Sequence, residues 1–179
     1  MSQCLPVGKF SWVTERWTKE RILSLQDDAL EGYIFEVDLS VLDEDHDKFN
    51  DYPLAPQTMV IDEAMLSPYQ ERFPDHQKKA STKLTPNLFP KKKYVTHYRN
   101  LKFYLEQGMQ LDAVHRVMKF DQSPWLAKFI DYNTAMRSMS TNSFGKDFFK
   151  LMNNSTFGKT QACILKLAYN QSKFFGKIK

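Results

Sequence analysis

The stretch GYIFEVDL, residues 32–39, decides the fold of this chain. It is rich in aromatic and β-branched residues, it has the length of a strand, and it begins at a glycine, which favours a turn. We therefore predict a buried strand that ends near Asp38. The polar segment 43–51 predicts a surface loop, and Pro53 and Pro56 prevent a helix from following it.

Short elements lie on both sides of this strand. Residues 1–30 predict a short helical or irregular lead-in. Residues 57–93 hold four of the eight prolines and predict a loop-rich insertion, because proline interrupts helices and central strands. The other predicted elements are a basic loop at 91–93 leading into a strand at 94–98, a helix at 100–107 that stops at Gly108, a strand at 113–120, a helix from 123 to about 140, and a helix from 142 or 143 to about 154. This pattern predicts a mixed α/β fold of the α+β class.

Composition and charge indicate a folded protein with two oppositely charged parts. The 179 residues are 42% hydrophobic and 26% charged, which is typical of a globular domain rather than a disordered chain. No apolar run reaches the roughly 18 residues of a membrane helix and no signal-peptide core is present, so we expect a soluble, intracellular protein without membrane contact, in the nucleus or the cytoplasm. Residues 1–56 hold 5 Lys/Arg against 12 Asp/Glu, and residues 57–179 hold 20 against 9. This polarity suits a protein that binds phosphates with one part and cations with the other.

The sequence contains no complete zinc-binding or calcium-binding motif. The two cysteines have no CxxC spacing, and the four histidines are dispersed without partners at metal-ligand spacing. The acidic segment 43–54 resembles the start of a calcium loop, but it has Lys48 and Leu54 where such a loop has Gly and Glu. We therefore predict neither a zinc site nor a calcium site.

The helix predicted near residues 142–154 has a polar, cationic face. Lys146, Lys150 and Asn154 recur at i, i+4 and i+8, so they share one face, which in an arbitrary helix is usually just solvated. The string KLMNNSTFG, residues 150–158, resembles the K-x-x-x-N-S-x-Y-G signature of family B DNA polymerases, with Phe157 in place of Tyr.

The resemblance to family B polymerases implies a nucleotide-binding role for this helix. In that family the motif lies on a fingers helix, and its lysine contacts the triphosphate of the incoming nucleotide. Arg137 matches a basic residue on the preceding fingers helix, and Lys146 matches a further fingers lysine. The nucleotide-binding residues implied by the resemblance are Arg137, Lys146, Lys150, Asn154, Ser155, Phe157 and Gly158.

The strand that ends at Asp38 resembles the first palm motif of the same family. There the terminal aspartate binds two catalytic Mg²⁺ ions, which activate the primer hydroxyl and stabilise the leaving pyrophosphate. The resemblance implies that Asp38 is catalytic and that it is the one metal ligand this chain supplies to a two-metal Mg²⁺ site. The alternative is an ordinary strand-end carboxylate that makes a turn.

The arrangement over about residues 1–160 is similar to the protein-primed polymerases of Maverick/Polinton-type transposable elements and of related linear viruses and plasmids. The similarity implies a partial palm sheet with a helical fingers hairpin, and it implies a DNA template and primer, deoxynucleoside triphosphates and a terminal protein as partners. The implied segments are a partial palm at 1–58, a loop-rich insertion at 59–112 that contacts the terminal protein, fingers at 113–160 and a divergent tail at 161–179.

Three departures from that family predict negligible nucleotide incorporation by this chain alone. The family's D-T-D motif, which supplies the second metal ligand, is absent. Ser40-Val41-Leu42 follows Asp38 where the family has a tyrosine that screens out ribonucleotides, and residues 161–179 do not resemble the family's continuation. We expect a polymerase fragment, with a non-catalytic DNA-binding or interaction module derived from a transposon polymerase as the alternative.

A basic tract at residues 91–102 predicts a second contact with DNA. Tyr94, Tyr98 and Phe103 are interleaved with the basic residues, which combines phosphate contacts with base stacking. The predicted DNA-binding residues are Lys91, Lys92, Lys93, Arg99 and Lys102. The alternative is an ordinary exposed basic loop.

Overall fold

The computed structural model describes the backbone of residues 2–61, 63–69 and 82–175, and their side chains except those of Glu63 and 160–175. The strands are β1 (Leu5–Val13), β2 (Glu31–Ser40), β3 (Gln57–Val60), β4 (Thr82–Thr85), β5 (Lys91–His97) and β6 (Gln110–Ser123). The helices are α1 (Lys19–Leu23), α2 (His46–Phe49), α3 (Tyr98–Gln107), α4 (Ala127–Met139) and α5 (Ser143–Phe175), with short 3₁₀ turns at Asp43–Asp45 and Glu63–Met65. Helices combined with antiparallel sheets confirm the predicted α+β class.

The chain forms two compact units. One unit is Lys9–Phe120, and the other combines Met1–Gly8 with Asp121–Lys179. The larger sheet has the strand order β1-β6-β2-β5, and β3 and β4 form a separate antiparallel pair. The four segments predicted from the sequence stay a prediction. None of the described helices is both long enough and apolar enough to span a membrane.

Strand β2 lies at the centre of the core of Lys9–Phe120. Its side chains alternate, so that Phe35, Val37 and Leu39 are fully buried while the intervening residues lie on the other face of the strand. Helix α3 packs on the buried side with Tyr98 and Leu101. Each such buried side chain stabilises the fold by about 2 kcal/mol. The predicted buried strand is therefore confirmed, with Asp38 on the face that points away from the core.

Several predicted elements agree with the structure. Helix α3 ends at Gly108, whose φ of 115° lies in the left-handed region that glycine tolerates best. Helix α4 ends at Met139, and the Asn142 side chain accepts a hydrogen bond from the Gly145 N–H at 2.7 Å at the start of α5. The loop-rich segment 57–93 holds only short elements in its described part, and residues 62 and 70–81 of it lie outside the described residues.

The lead-in at residues 1–30 is corrected by the structure. It contains helix α1, as predicted, but also the nine-residue strand β1, which the sequence pattern did not indicate. Gly8 and Lys9, within this strand, have positive φ values of 152° and 53°, so the backbone of β1 is irregular there. This irregularity, together with exposed aromatic side chains, hides the two-residue period of a strand.

Three further boundaries differ from the prediction. The segment 43–51, which was predicted to be a loop, contains helix α2, and Phe49 of this helix packs in the core. The predicted basic loop 91–93 is the first part of strand β5. Helix α5 continues past Asn154 to Phe175, since the Ser155 and Thr156 hydroxyls donate back to the Met152 carbonyl and so remain compatible with a helix.

Candidate functional site

Asp38 sits where strand β2 faces an irregularity in strand β5. The pairing register of the two strands shifts between Val37 and Leu39, so that Lys92 and Lys93 together lie opposite Asp38. Such a shift is a β-bulge, and Lys93 adopts a left-handed φ of 51° there. The turned Lys93 N–H donates to Asp38 Oδ1 at 2.7 Å. The carboxylate therefore holds the strained residue of the bulge in place.

Two further groups contact the same carboxylate. His115 Nε2 on β6 lies 2.8 Å from Asp38 Oδ1, and Lys92 Nζ lies 3.4 Å from Asp38 Oδ2. The side chain of Asp38 is 14% exposed, whereas that of Lys92 is 67% exposed. The hydrogen bond from the Lys93 backbone, followed by that from His115, lowers the pKa of Asp38 to about 2. The carboxylate is thus ionised, and every group it contacts donates to it.

These surroundings do not fit the Mg²⁺ site implied by the resemblance. Mg²⁺ prefers carboxylate, phosphate and water oxygens in an octahedral arrangement. Oδ1 of Asp38 already accepts two hydrogen bonds, and a lysine ammonium lies beside Oδ2. Among the described residues no three His, Cys, Asp or Glu side chains come together in a way that could hold a metal ion. Asp38 lies two residues before the end of β2, and its carboxylate holds the bulge of β5 rather than a turn, so the Mg²⁺ role implied by the resemblance stays a prediction.

The neighbouring acids on this sheet also have partners. Glu36 accepts two hydrogen bonds from Arg116, at 2.5 and 3.0 Å, and this pairing lowers the pKa of Glu36. Asp112 accepts a hydrogen bond from the Ser40 hydroxyl at 2.9 Å. Both carboxylates therefore have hydrogen-bond donors of their own.

The fingers residues predicted from the sequence lie on a hairpin of α4 and α5. The Asn133 side chain, which is buried on α4, donates to the Asn153 side chain on α5 at 2.9 Å. Gly145 permits the close start of the second helix, because a Cβ there would lie 2.9 Å from Ser140 Oγ and 3.0 Å from Asn142 Oδ1. The hairpin belongs to the unit with Asp121–Lys179, and Asp38 belongs to Lys9–Phe120.

Helix α5 presents three different sides within its first four turns. Phe149, Met152 and Thr156 are partly buried on the side next to Asn153, which accepts the hydrogen bond from Asn133 of α4. At about 100° per residue, the exposed residues Lys146, Lys150, Asn154 and Phe157 follow one another along an adjacent side. Phe144, Phe148 and Leu151 are exposed on a third side. We call the second set the lysine face of α5.

The cations of the hairpin are available to a ligand. Arg137, Lys146 and Lys150 are exposed, and within residues 121–159 no described acid or carbonyl pairs with their side chains. Asn154 and Phe157 lie on the lysine face, whereas Ser155 and Gly158 lie round the helix from it. The structure therefore groups four of the seven predicted nucleotide-binding residues on one helix side, and Arg137 is exposed in the last turn of α4.

The predicted DNA-binding tract does not form one surface. Lys91 is 1% exposed, and its ammonium donates to the Asn87 backbone carbonyl at 2.9 Å and to the Asn87 side chain. Burial lowers the pKa of Lys91 to about 8. The prediction that Lys91 contacts DNA is therefore wrong, because its charged end points into the protein. Tyr98 is likewise fully buried and unable to stack on a base.

The other members of the tract have different surroundings. Arg99 donates to the carbonyl of Asp27 and to the Asp28 carboxylate, and Lys102 donates to the Leu25 carbonyl at 3.0 Å. These contacts fasten the loop before β2 to helix α3. Lys92 and Lys93 are exposed beside Asp38, and they remain candidates for contact with phosphates.

Sequence reasoning missed the partners of Asp38. His115 is 77 positions from Asp38, and no local pattern connects the two. Only the pairing of distant strands brings them together. Comparisons of the chain with protein-family models, with curated proteins and with solved structures found no match in any of the three.

Proposed function

We propose that this chain is the palm-and-fingers part of a protein-primed family B DNA polymerase, in which the lysine face of α5 binds the triphosphate of an incoming deoxynucleotide. The single observation that supports the proposal most is the row of Lys146, Lys150 and Asn154 on an exposed, regular helix, with both ammonium groups unpaired within the described part of the hairpin. This row coincides with the K-x-x-x-N-S-x-F-G string.

The chemistry of the lysine face suits a nucleoside triphosphate. Phosphoryl transfer depends mainly on positioning and on neutralising phosphate charge, and two ammonium groups one helical turn apart supply a fixed positive field. Asn154 adds an amide that donates to phosphate or sugar oxygens. Phe157, which is 49% exposed, offers an aromatic ring to the base. Each group on this face therefore has a counterpart in a nucleotide.

Binding without transfer is the behaviour we expect from this chain alone. The D-T-D string that supplies the second metal ligand in that family does not occur in residues 1–179, and the Asp38 carboxylate is engaged by Lys93, His115 and Lys92. In the proposed complete polymerase, template and primer DNA and a terminal protein would be the partners. The expected activity of the purified chain is nucleotide binding and no templated extension of a primer.

Nucleotide binding tests the proposal through a pair of variants on one helix. Titration of a fluorescent deoxynucleoside triphosphate should show that Lys150→Ala weakens binding by about tenfold or more, because a hydrogen bond to a charged group contributes about 1.5–3 kcal/mol. Lys159→Ala is the matched control. Lys159 is exposed, lies nine residues further along α5, and therefore faces about half a turn away from Lys150.

The control separates a site from general charge attraction. Equal weakening by Lys150→Ala and Lys159→Ala, or no weakening by either, would contradict the proposal. Inorganic triphosphate should compete with the nucleotide, since both ammonium groups bind phosphate. Circular dichroism of each variant checks that α5 remains helical.

A second candidate function is a nucleic-acid-binding module without catalysis. The observation that favours it is the donor-rich surroundings of Asp38. If this candidate is right, Asp38→Ala leaves DNA affinity unchanged and the lysine face binds no nucleotide. Templated primer extension with Mg²⁺ by the purified chain would exclude it, and would also contradict our expectation of binding without transfer.

A further inference from the structure

Strand β1 presents two large aromatic side chains to solvent within the unit Lys9–Phe120. Phe10 is 58% exposed and Trp12 is 64% exposed. Two positions apart on a strand, they lie on the same face. The Phe10 ring packs at 5.8 Å on the ring of Phe120, which is fully buried and also contacts His97 at 6.0 Å. One side of Phe10 is thus supported while much of the ring remains open.

A guanidinium group is fixed beside the indole of Trp12. The centre of the Arg116 guanidinium lies 5.5 Å from the Trp12 ring centroid, within the range of a cation–π interaction. Arg116 is held there by its two hydrogen bonds to Glu36, yet 63% of its side chain is exposed. The aromatic pair therefore has a positively charged, planar neighbour that is already oriented.

The same region of the sheet has exposed ammonium groups further along. Lys92 and Lys93 on β5 lie beside Asp38, across β2 from Arg116 and its partner Glu36. Glu36 pairs with Arg116 and Asp38 with Lys92, so the three cations exceed the two carboxylates by one positive charge. We call Phe10, Trp12, Arg116, Lys92 and Lys93 the open face of the sheet.

We propose that the open face binds single-stranded nucleic acid, with unpaired bases stacking on Phe10 and Trp12 and with backbone phosphates near Arg116 and the two lysines. Exposed aromatic rings accept any base that is not already stacked in a duplex, and neighbouring cations follow the phosphate backbone. The charge of the face favours a polyanion over a second copy of this chain, whose own open face is also cationic. The proposal does not depend on nucleotide binding by α5.

Fluorescence anisotropy of a labelled oligo(dT) tests this proposal with tryptophan variants of the full chain. Trp12→Ala should weaken binding about 5- to 160-fold, which corresponds to the 1–3 kcal/mol lost when one stacking aromatic is removed. Trp12→Phe keeps a stacking ring and should retain most of the affinity. Trp125→Ala is the matched control, because Trp125 is also exposed, at 54%, but lies just before α4.

Salt dependence and strandedness complete the test. Lys93→Ala should reduce the slope of log K against log salt by about 0.7, the value for one phosphate contact with a single strand. Wild-type affinity for Trp12→Ala, equal losses in the Trp12 and Trp125 variants, or undiminished binding of the same length of duplex would each overturn the proposal. A change in sedimentation with Trp12→Ala, with oligo(dT) affinity unchanged, would overturn it in favour of self-association. The change in deoxynucleotide affinity caused by Lys150→Ala, measured separately, reports on α5.

Discussion

Replacing Lys91 by methionine distinguishes the structure from the sequence prediction most directly. The sequence predicts an exposed lysine that binds DNA, whereas the structure buries its ammonium against Asn87. Methionine has a similar length and no charge, so Lys91→Met removes the buried cation with little change in volume. Because Lys91 is buried, we expect this variant to change the pH dependence of stability and to keep the wild-type affinity for an oligonucleotide.

The magnitude follows from the lowered pKa of Lys91. Burial moves this pKa from its ordinary value of 10.5 to about 8, so below about pH 8 the folded protein bears the full cost of a buried ammonium. Between about pH 8 and about pH 10.5 the folded protein has released the Lys91 proton while the unfolded chain still binds it, so the stability of the folded protein rises with pH. Wild-type stability should therefore gain about 1–2 kcal/mol over Lys91→Met between about pH 7 and pH 10, a value already reduced for solvent screening.

Urea unfolding of both proteins at about pH 7 and about pH 10 measures this difference. The unsatisfied Asn87 groups in Lys91→Met cost the same at both pH values, so they cancel from the comparison. Lys92→Met, at an exposed position on the same strand, is the control for stability, and its unfolding should show the same pH dependence as that of the wild type. A parallel pH dependence in wild type and Lys91→Met, or a loss of oligonucleotide affinity confined to Lys91→Met, would refute the burial of this lysine.

Two other predictions concern the β-bulge and the turn after α3. Asp38→Asn should lose less stability than the wild type as the pH falls from about 4 towards about 2, because the lowered pKa of Asp38 stabilises the wild type above this range and the variant has no carboxylate to protonate. Identical curves for the two proteins in an acid titration followed by circular dichroism would contradict this. Gly108→Ala should lower the unfolding free energy by about 1 kcal/mol, because the left-handed φ of Gly108 strains any other residue. Gly158→Ala should raise it by up to about 1 kcal/mol, because Gly158 lies on a helix with open space around it. Thermal unfolding measures both variants, and equal effects would contradict the geometry given for the two glycines.

Local pattern was enough to predict the elements that depend on nearest neighbours. The aromatic and β-branched residues of 32–39 predicted strand β2, and Gly108 predicted the end of α3. The spacing of Lys146, Lys150 and Asn154 predicted a common helix face, which α5 shows. These features follow from helix and strand periods and from the conformational freedom of glycine, all of which act over a few residues.

The tertiary structure decided everything that depends on which strands pair. It placed Lys93, 55 positions from Asp38, and His115, 77 positions away, on the same carboxylate. In the folded chain Lys91, which was expected to contact DNA, is buried, and Trp12 lies beside Arg116. The physical reason is that strand order, register and bulges determine which side chains meet. These depend on long-range packing of the core, which the spacing of residues close in sequence does not indicate.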